Sequence, residues 1–248
     1  MTHNNNAQND DIYYDDDEEP LFSKFSVIFF SLIILIDGIF SLVIFEFVNE
    51  KIIKVVYPYE YNEALLLLFT FKGAICLTTL FIIGLVYYRL YQYSYESLWS
   101  YLGFHKPNWK FLGLWILLLM ALHSFAWAGN IHQSHIRLSE NVVTYGIWVT
   151  LISTVIIAPV CEEIIFRGFL WRATLDAFQS ERMALVVSSG LFALAHYQLD
   201  MSALVFYFIS GWILLSARLT GGTLAFSIFL HFLHNFALTL ETFVMMTQ

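Results

Sequence analysis

Charge is scarce in this chain. Only 13% of its 248 residues are Asp, Glu, Lys or Arg, against about 25% in an ordinary soluble domain. Cysteine occurs twice, as Cys76 and Cys161, both inside apolar runs and with no C-x-x-C pair. A disulfide scaffold is therefore excluded, and the two thiols read as reduced core residues. Lys and Arg are missing from the first 20 residues, so the positive start of a cleavable signal peptide is lacking. A basic patch is lacking too. Seven of the 20 acidic residues lie between Asp10 and Glu19, which leaves 13 acids against 12 bases elsewhere. That near-neutral body offers no surface for nucleic acid.

Apolar residues are what the chain has in excess, at 58% hydrophobic and 18% aromatic. A soluble fold would have to hide far too much Phe, Leu and Ile. The composition implies a polytopic membrane protein, with membrane lipid as its surroundings. Residues 1–22 are too acidic and too poor in apolar side chains to fold alone and read as a disordered cytoplasmic tail. Residues 23–248 then form a single transmembrane domain.

Seven apolar segments follow at Phe25–Val48, Ala64–Tyr88, Phe111–Ala128, Val143–Trp171, Met183–Leu199, Ser202–Ala217 and Thr223–Val244. Lipid cannot solvate open backbone groups, so the expected fold class is all-α, a bundle of about seven membrane helices (six to eight). The fifth and sixth segments are divided only by Asp200 and Met201 and form either a tight hairpin or a partly re-entrant pair. Tyr91–Lys110, rich in Tyr and Trp, reads as an amphipathic stretch on the membrane surface. Lys24, Arg89, Lys106, Lys110, Arg167, Arg172, Arg182 and Arg218 fall on one side, against Lys51, Lys54 and Arg137 on the other. That bias places the amino terminus in the cytoplasm and the carboxyl terminus outside.

Ionisable groups at membrane depth cost roughly 2.5 kcal/mol or more, so each needs a reason. Asp37 and Lys72 come to similar depths on the first two segments and are expected to form a structural ion pair. A second set comprises Glu162, Glu163, Arg167, His196, His231, His234 and Asn235. Glu163 and Arg167 are i,i+4, as are His231 and Asn235, and Phe192 and His196. Glu162 projects about 100° from Glu163, so the two carboxylates have different tasks. Counted at about 1.5 Å per residue, Glu162, His196 and His231 lie about 14–20 Å from the same membrane face. Three segments thus bring one carboxylate and two imidazoles to one level. A carboxylate removed from water is a competent general base, and imidazole and amide N–H groups can donate to an oxyanion. Peptide or other acyl hydrolysis would need no Ser or Cys nucleophile here.

These residues resemble a known family. Glu162-Glu163-Ile164-Ile165-Phe166-Arg167 matches the EExxxR motif of the CPBP family (CAAX proteases and bacteriocin-processing enzymes, also called Abi). Phe192–His196 matches its FxxxH motif and His231–Asn235 its HxxxN motif, in the same order. The resemblance covers about residues 143–240. It implies an intramembrane glutamate-type endopeptidase that uses neither metal nor cofactor. Its substrate would be a peptide or protein with a membrane-associated segment. Glu162 would activate water, His196 would help position it, and His231 and Asn235 would stabilise the oxyanion. Glu163 with Arg167 would orient the helix and tune Glu162, and Phe192 would pack the site. The short chain fits a bacterial plasma membrane.

Two other readings compete. Two carboxylates and two histidines could be zinc ligands, although H-E-x-x-H is missing. A non-catalytic membrane scaffold, an immunity protein or a proton-coupled carrier is the other; a carrier would more naturally show repeats, and none is seen. His234 lies outside the motifs and reads as a packing or surface histidine. His123 has no motif context, and His132 and His135 read as a solvated outer loop. Pro159, one turn before Glu162, is expected to disturb its helix.

Overall fold

The computed structural model describes residues 20–48, 63–93, 96–129, 131, 133–196 and 200–247. Nine helices make up the described fold, with no strand among those residues: α1 (Lys24–Val48), α2 (Glu63–Tyr93), α3 (Leu98–Leu102), α4 (Leu112–Ala128), α5 (Gln133–Tyr145), α6 (Ile147–Phe178), α7 (Glu181–Ala195), α8 (Met201–Gly221) and α9 (Leu224–Met246). Five are long and apolar enough to cross a membrane, within Gly73–Tyr93, Trp109–Ala128, Ile147–Phe178, Met201–Gly221 and Leu224–Met246. The chain is an integral membrane protein. Two of the seven expected spans fall outside that set. In α1 the apolar stretch that qualifies is Lys24–Ile36. Helix α7 has 15 residues, about 22 Å, which is short of an approximately 30 Å hydrocarbon core.

The expected fourth span starts later and ends later than its apolar run. Gly146 has φ 81°, a left-handed backbone that favours glycine, and it separates α5 from α6. Residues read as an outer loop instead build α5, which turns Leu138 inward and packs against α9 and α2. His132 and the side chain of His135 lie outside the described residues, as do the side chains of Asp37 and Lys72. Cys76 and Cys161 are free, with sulfurs 3.8 Å apart.

Large apolar side chains such as Phe81, Leu117, Trp148 and Ile156 point outward, as lipid contact requires. Inward, Phe22, Phe30 and Phe169 meet edge to face at 5.2–6.1 Å between centroids. Phe22 belongs by sequence to the expected tail, yet it is buried in this cluster. Small residues set the closest approaches. A Cβ on Gly211 would stand 3.2 Å from Phe192 and from the Ser189 backbone, so glycine there lets α8 lie against α7.

Helix α6 is not a uniform α-helix. Ile152–Ile157 and Glu163–Leu170 are π-helical, with i to i+5 bonds such as Ala158 N–H to Ser153 O and Trp171 N–H to Phe166 O. In that register the carbonyl of Thr154 would look to residue 159, which is Pro159 and has no N–H to give. Asn235 on α9 supplies the missing donor, with Nδ2 2.8 Å from Thr154 O.

The stretch expected on the membrane surface contains α3 and then an extended strap, residues 104–108. Its ends are bonded to the α8–α9 turn. Leu224 N–H donates to Gly103 O at 2.7 Å, Asn108 N–H to Gly221 O at 2.9 Å, and His105 N–H to Thr223 Oγ1 at 3.1 Å. On α6, Arg172 pairs with Asp176 one turn on at 3.0 Å and reaches Glu96, just before α3, at 3.6 Å. Burial, with Asp176 nearby, pushes the Tyr101 phenol well above its ordinary range.

Candidate active site

Glu163 and Arg167 lie four residues apart on α6 and both are fully buried. Arg167 Nη1 donates to Glu163 Oε1 at 2.7 Å, and its Nη2 donates to Gly211 O at 3.2 Å. Its guanidinium carbon stands 4.2 Å from the centre of the Phe192 ring. The cation therefore joins α6 to α8 and rests on α7. Its planar fork suits this combination of carboxylate, carbonyl and ring face better than lysine would.

His231 enters from α9 with Nδ1 2.8 Å from the same Glu163 oxygen. A carboxylate only accepts, so Nδ1 carries the proton and donates. That bond fixes the ring and turns Nε2 toward Glu162 Oε2, 3.7 Å away. Glu162 Oε2 is buried and takes no hydrogen bond from the described residues, so its lone pairs are available. The two adjacent carboxylates thus meet opposite nitrogens of one imidazole, and Glu163 alone is bonded to Arg167.

Phe192 is the hub of the ring packing. It meets Phe166 edge-on at 5.4 Å, His231 at 5.7 Å and His196 at 4.6 Å. His196, at the carboxyl end of α7, donates from Nδ1 to Phe192 O at 2.7 Å. It stacks on Tyr207 at 4.0 Å and 23°. Glu162, Glu163, Arg167, His231, Phe192 and His196 therefore form one contiguous group. Asn235 lies one turn beyond His231, with one N–H committed to Thr154 O; the other N–H of the same amide remains to be donated. Among the described residues, no three His, Cys, Asp or Glu side chains are grouped as a metal ion would need.

Sequence reasoning missed several participants. Tyr207 shelters His196, but one more Tyr in an aromatic chain carries no spacing signal. Thr154 is recruited through its backbone, which no side-chain pattern reveals. Of the packing and surface roles open to His234, burial selects packing, but its partner was not foreseen. His234 is 3% exposed, with Nδ1 2.8 Å from His123 Nε2. The available signal was the rule used for the other groups: an imidazole at membrane depth needs a partner.

Comparison with known proteins agrees with the motifs. Residues 144–237 match the family model described as type II CAAX prenyl endopeptidase, Rce1-like. No curated protein matches the chain, and no solved structure does. The matched residues, under half of the chain, contain all three motifs and every contact described between them, and over that stretch the chain is similar to the CAAX-type proteases of the CPBP family.

Proposed function

We propose that the protein is a glutamate-type endopeptidase that cleaves a peptide bond with water activated by Glu162, without a metal. The observation that carries this reading is the placement of His231 between the two carboxylates: Glu163 at 2.8 Å holds the ring, and Glu162 at 3.7 Å is left to act. Glu162 takes a proton from water as the water oxygen bonds to the scissile carbonyl carbon. His196 helps to position that water. The resulting oxyanion receives hydrogen bonds from the uncommitted N–H of Asn235 and from Nε2–H of His231, which acts as the imidazolium while its Nδ1–H stays on Glu163. The carbon–nitrogen bond then breaks, and Glu162 returns its proton to the leaving nitrogen. Glu163, Arg167 and Phe192 support this group and do not touch the reacting atoms.

The Rce1-like match makes a prenylated, CAAX-type carboxyl-terminal peptide the first substrate class to test. Residues 143–240 would be the catalytic core of a single membrane domain preceded by an acidic cytoplasmic tail. The positive-residue bias supports a cytoplasmic amino terminus. The test is cleavage of prenylated peptides by purified wild type, Glu162→Gln and His231→Ala, with peptidomics of membranes carrying each. Glu162→Gln should lower turnover by at least about a hundredfold. Unchanged product formation by that variant would end the proposal, and an intact cellular phenotype of Glu162→Gln would favour a scaffold.

A further inference from the structure

A second buried polar group lies beside this site and takes no part in the steps above. His123 on α4 places Nδ1 3.1 and 3.2 Å from the two carboxylate oxygens of Glu241 on α9. Its other nitrogen, Nε2, is 2.8 Å from Nδ1 of His234, one helical step from His231. Exposure falls along the chain: the side chain of Glu241 is 32% exposed, His123 8% and His234 3%. Phe206 packs on both imidazoles, flat against His234 at 5.9 Å and edge-on to His123 at 6.2 Å. The next residue on α8 is Tyr207, which stacks on His196. The rings of His234 and His231 are 6.2 Å apart.

The order of donors follows from the carboxylate. Ionised Glu241 only accepts, so His123 carries its proton on Nδ1 and donates it. His123 Nε2 is then an acceptor. His234 must therefore hold its proton on Nδ1 and donate to His123, which leaves its own Nε2 with a lone pair. One carboxylate thus dictates the tautomer of an imidazole that it does not touch. Because His231, His234 and Asn235 share one face of α9, the same chain fixes how that face is turned toward α4, α6 and α8. The other charged or titratable groups whose field reaches His234 are His231, His196 and Arg167.

We propose that Glu241 and His123 are positioning residues: through His234 they hold α9 in the rotation that presents His231 and Asn235 to Glu162. The effect on turnover rests on the catalytic reading of His231, whereas the tautomer chain does not.

The experiment uses the full chain in lipid nanodiscs with ¹⁵N-histidine. Ring nitrogens are assigned by single substitution and compared between wild type, Glu241→Leu and His123→Phe. His123→Phe keeps a ring against Phe206 and removes only the relay. In wild type, His123 and His234 should both report protonated Nδ1 and unprotonated Nε2. In Glu241→Leu, which removes the acceptor, the His234 pair should shift although the relay reaches it only through His123, and kcat on a cleaved peptide should fall by at least about tenfold with KM within about twofold. Unmoved His234 resonances in both variants would overturn the proposal, as would a shifted spectrum with unchanged kcat. If wild type and Glu162→Gln cleave equally, the catalytic reading fails separately, and the spectrum alone decides the tautomer chain.

Discussion

Replacing Arg167 by Met should nearly unfold the protein, and adding Glu163→Gln should recover much of the loss. Both side chains are fully buried and bonded at 2.7 Å. Removing the guanidinium strands an ionised carboxylate away from water, which costs about 3–5 kcal/mol. The Gly211 carbonyl keeps its own helical hydrogen bond, so its lost contact with Arg167 adds little. His231, 2.8 Å from Glu163, can take part of the stranded charge, and this favours the lower end of the range. Against a typical total of about 5–15 kcal/mol, such a loss is severe. In the double variant the amide oxygen introduced by Glu163→Gln still accepts from His231, and no charge is left unpaired. At least about 2 kcal/mol should return, because removal of both partners of a buried pair costs far less than removal of one. Equilibrium unfolding in mixed detergent micelles would measure wild type and both variants. A single-variant loss below about 1 kcal/mol, or additive effects within about 0.5 kcal/mol, would refute the view that this pair is electrostatically dry.

The repair of the π-helical segment makes a second expectation. Asn235→Ala should destabilise by about 1–2 kcal/mol, because the Thr154 carbonyl loses its donor; Pro159→Ala, which restores an N–H at the i+5 position, should return part of that loss in the same unfolding assay. A third concerns Asp200, which caps α8 by accepting from the Ser202 N–H. Bonds from the Ser202 hydroxyl and N–H hold its carboxyl below the ordinary value, so its contribution is present above the unfolded pKa of about 3.9. It is lost as pH falls through the lower folded value. Helicity of the 200–221 region, followed by hydrogen exchange from pH 5 to pH 2, should decline in wild type but stay flat in Asp200→Asn.

Much of this architecture was legible from residue order. The i,i+4 spacing of Glu163 and Arg167 survives inside a π-helical stretch, and the common depth of Glu162, His196 and His231 corresponds to one contiguous group. The irregular winding of α6 was not legible, since its run of Ile, Val and Ala repeats no period that distinguishes π from α. Pro159 hinted at a disturbance but not at its repair by a side chain 76 residues later. His123 and His234 escaped for a similar reason: their bond joins residues 111 positions apart, and local spacing carries no information about such a partner. The polar content of α5 disguised a helix as a loop; among its described side chains Leu138 is the buried one.

The strap along residues 104–108 bears on how the protein meets bilayers of different thickness. A helix free at both ends answers a thinner membrane by tilting or sliding along the normal. Helix α9 is anchored at its start, where Leu224 and the preceding turn are stitched to Gly103, His105 and Asn108. Mismatch must then be absorbed at the far, carboxyl-terminal end. The imidazole at position 231, two turns from the anchor, keeps a constant altitude above the strap whatever lipids surround it.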